Sequence, residues 1–464
     1  MNTKALRQKV LDLAIHGKLV PQNPNDESAT VLLEKIRAEK AEKIKKGELK
    51  ADKKDSFIFV GSDKRHYEQF ADGTVKDIED EIPFEVPDGW AWCRLSNACS
   101  ILMGQSPEGT SVSNNTNGME FHQGKIFFTN KYLAESGSYT AEITRIAPES
   151  SLLLCVRAPV GVVNITKREI CIGRGLCAIK PNYIIDENFW FYWIQCLKAD
   201  FEQKATGTTF KAISVDIIKQ QLIPLPPLLE QQLIINTIER IFSHIENLEK
   251  EKNDLQNIIK QTKSKILDLA IHGKLVSQDP NDEPAEELLK RIATSDNRPY
   301  EKMDTSEIDW SLPNNWCLCH FGDIATVING KNQSKVENPD GQYPIYGSGG
   351  IMGRADDFIC PENCTIIGRK GSINNPIFVE EKFWNVDTAF GLCPSEAILP
   401  KFLFYFCEYF DFTTLDSSTT LPSLTKTNIQ QIIFALPPIE EQKRILDKTV
   451  ELFGKLDEIV LNLV

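Results

Sequence analysis

Apolar residues recur through one stretch of this chain in steps of four and three. After Pro226-Pro227 they fall at Ile234, Ile238, Ile241, Ile245, Leu248, Leu255, Ile259, Ile266 and Leu269, with only Lys252 and Thr262 interrupting the seam. This is the heptad pattern of a coiled coil, and it predicts one helix over 228–272, about 67 Å long at roughly 1.5 Å per residue. Gly273 supplies its stop. Elsewhere the period shortens. Runs such as Ser151–Val156 and Cys364–Ile367, punctuated by glycine and proline, predict strands. Two aromatic helices are predicted over Glu187–Lys204 and Pro400–Phe410. Their aromatics surround the helix on three or four sides, which predicts core packing rather than base stacking. The fold class is α/β, in the mixed α+β sense.

Internal repetition organises these elements. VLDLAIHGKLV at Val10–Val20 returns as ILDLAIHGKLV at Ile266–Val276, an offset of 256 that continues through Pro24-Asn25-Asp26-Glu27 and Pro280-Asn281-Asp282-Glu283. TTFKAISVDIIKQQLIPLPPLLEQ at Thr208–Gln231 matches TTLPSLTKTNIQQIIFALPPIEEQ at Thr419–Gln442, offset 211. Pro87-Asp88-Gly89-Trp90 matches Pro313-Asn314-Asn315-Trp316, with Gly104 and Gly330 behind them. Unequal offsets mean that similar frames enclose segments of different length and unrelated sequence. The predicted plan is an N-terminal helix region (1–36), a charged insertion (37–86), a first variable block (87–226), a central coiled coil (227–283), a linker (284–312), a second variable block (313–437) and a C-terminal helix (438–464).

The two ends repeat the rod in halves. Leu456 and Ile459 sit in register with Ile245 and Leu248, and Leu6, Val10 and Leu13 with Thr262, Ile266 and Leu269. An antiparallel pairing of the central rod with this split copy predicts a pseudo-twofold molecule carrying two heads. The Lys/Glu-rich stretch Glu34–Lys54 is expected to be a solvated helix, or an insertion that orders on binding, which the second half lacks.

Composition changes this picture only in part. A chain of 464 residues exceeds one ordinary core, and 41% hydrophobic with 25% charged residues is globular. No apolar run approaches the roughly 18–20 residues of a membrane span, and Met1–Lys9 is no signal peptide, so a cytoplasmic protein is expected. The net charge of −13 taken whole argues against nucleic acid, but the acid is unevenly spread. Residues 90–226 carry 13 Lys+Arg against 11 Asp+Glu, whereas 316–437 carry 8 against 13. Of the twelve cysteines, Cys317 with Cys319 and Cys360 with Cys364 lack zinc-ribbon spacing and read as buried thiols. Asn375-Pro376-Ile377-Phe378 lacks the second proline of a base-flipping methyltransferase turn, and Gly347–Gly353 misses dinucleotide-loop spacing by one residue. No metal and no catalytic residue is expected.

Polar loops inside the variable blocks are the better site. Gly104, Gln105 and Ser106 open one such loop, and Gly330, Lys331, Asn332 and Lys335 lie in its counterpart. Arg157 falls in a second pair of loops with Arg369, Lys370 and Ser372; Thr208, Thr209 and Lys211, with Thr420 and Lys426, form a third. Gln and Asn suit bidentate contact with adenine, Lys and Arg contact with guanine or phosphate.

The duplicated LDLAIHGKLV, the LPPLLEQ and ALPPIEEQ helix starts, the PDGW and PNNW turns and Tyr343–Gly350 together resemble the specificity subunits of type I restriction–modification enzymes, over essentially the whole length. The resemblance implies two target-recognition domains held apart by a coiled coil, each reading half of a bipartite site in double-stranded DNA. It implies methylation subunits, two of them, bound to the repeated helices and holding S-adenosylmethionine, and a motor-nuclease subunit that joins for cleavage. A coiled-coil scaffold without DNA specificity, or a DNA-modifying enzyme, would be the alternatives.

Overall fold

A computed structural model describes residues 2–47, 52, 55–181, 185–207, 211–295, 302–303, 312–415 and 423–462. The chain divides into two compact units, Met1–Glu249 and Lys250–Val464. Among the described residues no helix is long and apolar enough to cross a membrane.

In the first unit, the strand Ala91–Arg94 that comes after Trp90 pairs antiparallel with Leu222–Leu225, the strand that leads into Pro226-Pro227. The way into the head and the way out are therefore neighbours. Between them runs a four-stranded antiparallel sheet in the order Val163–Thr166, Ser151–Cys155, Leu176–Pro181, Cys99–Met103. Its centre is apolar on both faces because both are covered. Leu152 and Leu154 join Phe189, Trp190 and Trp193 of the helix Glu187–Cys196 in one core cluster. Leu153 and Cys155 point the other way, into a cluster with Ile170 and Ile172. Those two belong to a second sheet, of five short strands, in which Met119–His122 and Ile170–Ile172 run parallel.

The second unit repeats the plan. Cys317–His320 pairs with Ile433–Leu436, and the main sheet runs Ala325–Asn329, Ala389–Pro394, Cys364–Gly368, Ile377–Val379. Tyr343–Gly347 lies parallel to Trp384–Asn385, and Phe402 and Phe406 of the helix Pro400–Tyr409 cover one face. The aromatic helices are core, as their pattern predicts: Phe189, Trp190 and Trp193 are fully buried, and Trp193 Nε1 donates to the Pro224 carbonyl at 2.8 Å. The first of them is shorter than predicted. It stops at Cys196, and a separate helix covers Lys198–Lys204.

The helix Leu228–Ile271 is continuous over 44 residues. In the first unit the helix Thr3–Ile15 runs against it antiparallel: Arg7 meets Glu246 and Glu249, while Gln22, further along, reaches Glu230. In the second unit the helix Ile439–Asn462 does the same, with Asp457 on Lys263 and Glu441 on Gln278. The seam is not the uniform a/d ladder expected. Leu248 is 47% exposed, although Arg7 and Thr3 of the first helix reach Glu249 beside it. Ile234 and Ile238 pack into the head instead, and the helical residues buried in both copies of the repeat are Val10, Leu11, Ala14 and Ile15, matched by Ile266, Leu267, Ala270 and Ile271. Leu13 and Leu269 are only half-buried.

The stretch Glu34–Lys54 also differs from expectation. Its helix spans Ala29–Lys45 and has a counterpart, Ala285–Ser295, in the second half. Beyond that helix the first unit carries a three-stranded meander, Ser56–Val60, His66–Phe70 and Val75–Asp77, tied to the head by Arg94, which is buried between Glu68 and Glu81.

The repeated motifs meet in two equivalent joints. Gly17 and Gly273 adopt φ of +66° and +63°, and an added Cβ would lie 2.3 Å from Pro87 Cγ and 2.4 Å from Pro313 Cγ. Trp90 Nε1 donates to Glu230 at 2.9 Å and Trp316 Nε1 to Glu441 at 2.9 Å, with Gln22 and Gln278 donating to the same carboxyls. Burial pushes both carboxyls up from the ordinary glutamate range, against the hydrogen bonds that favour their charged form. LDLAIHGKLV, PxxW and PPxxEQ are thus three sides of one joint that fixes head to helix.

Candidate nucleic-acid interface

At one end of the first head, four chain segments converge. Gly104 comes directly after the edge strand, and its N–H donates to Leu176 O at 2.9 Å; the next N–H, of Gln105, donates to Ile172 O at 3.0 Å. The approach is so close that a Cβ on Gly104 would lie 2.2 Å from the Gly173 carbonyl. Ser106 Oγ donates to Gln123 Oε1 at 2.8 Å and accepts from the Arg174 N–H at 3.2 Å. Val156 N–H donates to Gly175 O, and Arg157 bridges to Ala212 beside Lys211. Gln105, Gln123, Arg157, Arg174 and Lys211 are all exposed. Among the described residues, the side chains of Arg157, Arg174 and Lys211 form no ion pair.

The second head brings the equivalent segments together with the same backbone bonds. Gly330 N–H donates to Ala389 O and Lys331 N–H to Asn385 O; Arg369 N–H donates to Thr388 O, and Lys370 bridges to Ser423. Lys331, Asn332, Lys335, Lys370 and Ser372 are exposed, although Asn332 Oδ1 is occupied by the Ser334 N–H at 2.9 Å. Arg369 is different. It occupies the position of the buried Val156, folds over the Phe390 ring at 5.7 Å, and buries its Nε without a hydrogen-bond partner. Lys370, the counterpart of Arg157, is the side chain presented outward. Lys426 is half-buried at the start of the helix Lys426–Gln430, two residues beyond Leu424. Thr208, Thr209 and Thr420 lie outside the described residues.

Sequence reasoning found three of the four converging segments and missed the fourth. This is the turn Gly173-Arg174-Gly175 and its counterpart Val386-Asp387-Thr388. In the first head, glycines flanking one charged residue between two apolar runs were the available signal; the second turn carries no glycine. Behind the first rim, Glu120 accepts from Arg168 Nη2 and from the Ser136 N–H at 2.7 Å each, and lies 2.8 Å from His122 Nε2. These residues back Gln123 and fix its strand.

The thiols sit in the cores. Cys319 Sγ donates to Phe434 O and Cys360 Sγ to Asn385 Oδ1, while burial pushes the Cys317 thiol up to about 12. Among the described residues, no group of three or more His, Cys, Asp or Glu is arranged to hold a metal ion.

Comparison with known proteins adds a second line. Residues 87–257 and 313–458 match the family model for the type I restriction modification DNA specificity domain. The chain is similar to the type I restriction enzyme EcoAI specificity subunit of Escherichia coli, 25% identical over 98% of this chain and 90% of that one. A putative type I restriction enzyme MjaX specificity subunit of Methanocaldococcus jannaschii is 38% identical over 41% of this chain and 44% of its own length. Among solved structures, the HsdS subunit from Thermoanaerobacter tengcongensis covers 82% of this chain and 92% of its own, with 16% identity and a TM-score of 0.48.

Proposed function

Because the chain belongs to the type I restriction modification DNA specificity family, we propose that it reads a bipartite duplex target for a type I restriction–modification complex, one head per half-site. The observation that carries the reading is the duplicated rim: the same four segments, held by the same backbone hydrogen bonds, present different side chains in each head. A shared frame with changed contacts is what direct readout of two unlike half-sites requires. In this reading Gly104, Gln105, Ser106, Arg157, Thr208, Thr209 and Lys211 serve one half-site. Gly330, Lys331, Asn332, Lys335, Lys370, Ser372, Thr420 and Lys426 serve the other, with Arg369 packed over Phe390 behind them.

The chain contributes recognition, and partner subunits contribute chemistry. Two methylation subunits, carrying S-adenosylmethionine, dock on the helices, and a motor-nuclease subunit joins them in the cytoplasm. Apolar side chains left exposed on those helices, Leu229, Leu233, Ile258 and Val450, support docking there. The net charge of −13 supports a division of labour in which much of the phosphate contact comes from the partners.

The test is selection from a random duplex pool, with the chain alone and with its methylation subunits. The complex is expected to enrich a two-part motif, the chain alone none. Exchanging residues 313–437 for another variable block is expected to alter one half of the motif and leave the other intact. Both halves changing together would end the two-reader proposal.

A further inference from the structure

The turn that sequence reasoning missed sits in the middle of each rim, and the two heads place opposite charges there. In the first head Gly173 N–H donates to His122 O at 2.8 Å, Arg174 N–H to Ser106 Oγ at 3.2 Å, and Leu176 N–H closes the turn on Gly173 O at 3.0 Å. Val156 N–H holds Gly175 O at 3.0 Å. The second head repeats the cradle. Val386 N–H donates to Tyr346 O at 2.9 Å, Ala389 N–H to Val386 O at 3.0 Å, and Arg369 N–H to Thr388 O at 2.8 Å. Arg174 and Asp387 therefore occupy one backbone position, pinned by its neighbours on both sides, with exposed side chains that carry no ion pair among the described residues. A rigidly held Cα with a free polar side chain is what selective readout needs.

Charge decides what these side chains can meet. Asp387 lies among Lys331, Lys370 and the inward-folded Arg369, so a duplex docked on those cations brings phosphates past a carboxylate. An anion there repels phosphate, and it is tolerated in such a face when it accepts a hydrogen bond from a base amino group. The cytosine N4 amino group in the major groove is the donor matched to Asp or Glu. Arg174, beside the segment of Arg157 with that of Lys211 beyond it, has the planar fork that matches guanine O6 and N7.

The geometry points to Arg174 and Asp387 as the central base-reading residues of the two heads, Arg174 for a guanine in one half-site and Asp387 for a cytosine amino group in the other. This rests on the proposal that the rims face DNA. The experiment uses the chain in complex with its methylation subunits, and a random-sequence duplex pool as probe. Arg174→Ala is expected to lower preference at one base pair of one half-site by roughly tenfold or more, leaving the other half-site unchanged. Asp387→Ala is expected to do the same in the other half-site. Asp387→Asn is expected to move the preferred pair toward A·T, because an amide fits adenine. Thermal unfolding of each variant, expected to match the parent, separates a lost contact from a lost fold.

Uniform loss across all sequences would make Arg174 a phosphate contact and overturn the inference while leaving the rim as the binding face. Unchanged selectivity in both variants, with Gln105→Ala and Lys331→Ala altering it, would overturn the inference and again leave the rim standing. Unchanged selectivity in all four would remove the rim itself.

Discussion

Glu120 gathers three donors on one carboxylate: Arg168, the Ser136 N–H and, when its Nε2 carries the proton, His122. Burial alone would raise its pKa; the donors override burial and hold the carboxyl at about 2, below its ordinary value of 4.5. The unfolded chain therefore takes up a proton near 4.5 that the folded chain refuses until about 2, so this contribution is complete above 4.5 and lost as pH falls between the two values. It amounts to at most roughly 3 kcal/mol, because solvent screens a carboxylate that is only partly buried. His122 acts in the same direction, since burial pushes its imidazole below the ordinary histidine value and opposes protonation. In the second head Tyr346 fills the His122 position, so acid sensitivity is expected in the first unit. Denaturant midpoints at pH 7, 5 and 3 check this: Glu120→Gln is expected to be less stable at pH 7 and to lose much of the decline below about pH 4.5. A Gln variant with the parent's pH slope would refute it.

Among elements, the joints explain why three separate motifs recur. Gly17 combines a left-handed backbone with a site that has no room, whereas Gly47 shares the positive φ but has open space around it. Gly47→Ala is expected to cost about 1 kcal/mol, the strain alone. Gly17→Ala is expected to cost several times that, because Pro87 and Trp90 must also move. Equal losses in denaturant unfolding would show that the joint is not tightly packed. The glycines, tryptophans and PPxxEQ starts were each legible as repeats, but their meeting was not. The hydrogen bond between Trp90 and Glu230 joins residues 140 apart, and no local pattern reports a partner at that distance.

For the whole molecule, the proposal makes the helix Leu228–Ile271 the ruler between half-sites. Inserting four residues near Lys252 adds about 6 Å along a helix and about 40° of rotation. The half-site sequences are expected to persist while the tolerated spacer changes, read from the enriched motifs of the insertion variant. A folded, active variant with the original spacer would mean that the rod does not set the distance. The charge asymmetry belongs to this scale too: the second variable block carries 8 basic against 13 acidic residues, and five of the basic ones, Lys331, Lys335, Arg369, Lys370 and Lys426, fall in its rim segments.

The sequence by itself determined the helical rod, the two frames, the strands and the aromatic cores, because each depends on a period or a repeat within a few turns of chain. It also named most of the rim, since polar loops flanking glycine are local signals. It mistook the seam for a uniform ladder, because which positions of the seam are covered depends on packing partners distant in the chain. It offered Arg369 as a contact, because only packing reveals that this side chain lies over Phe390 and that Lys370 faces outward. The tertiary structure alone decided that Arg174 and Asp387 share one position. Their equivalence rests on hydrogen bonds between strands far apart in sequence, and unrelated sequences can fold into that same frame.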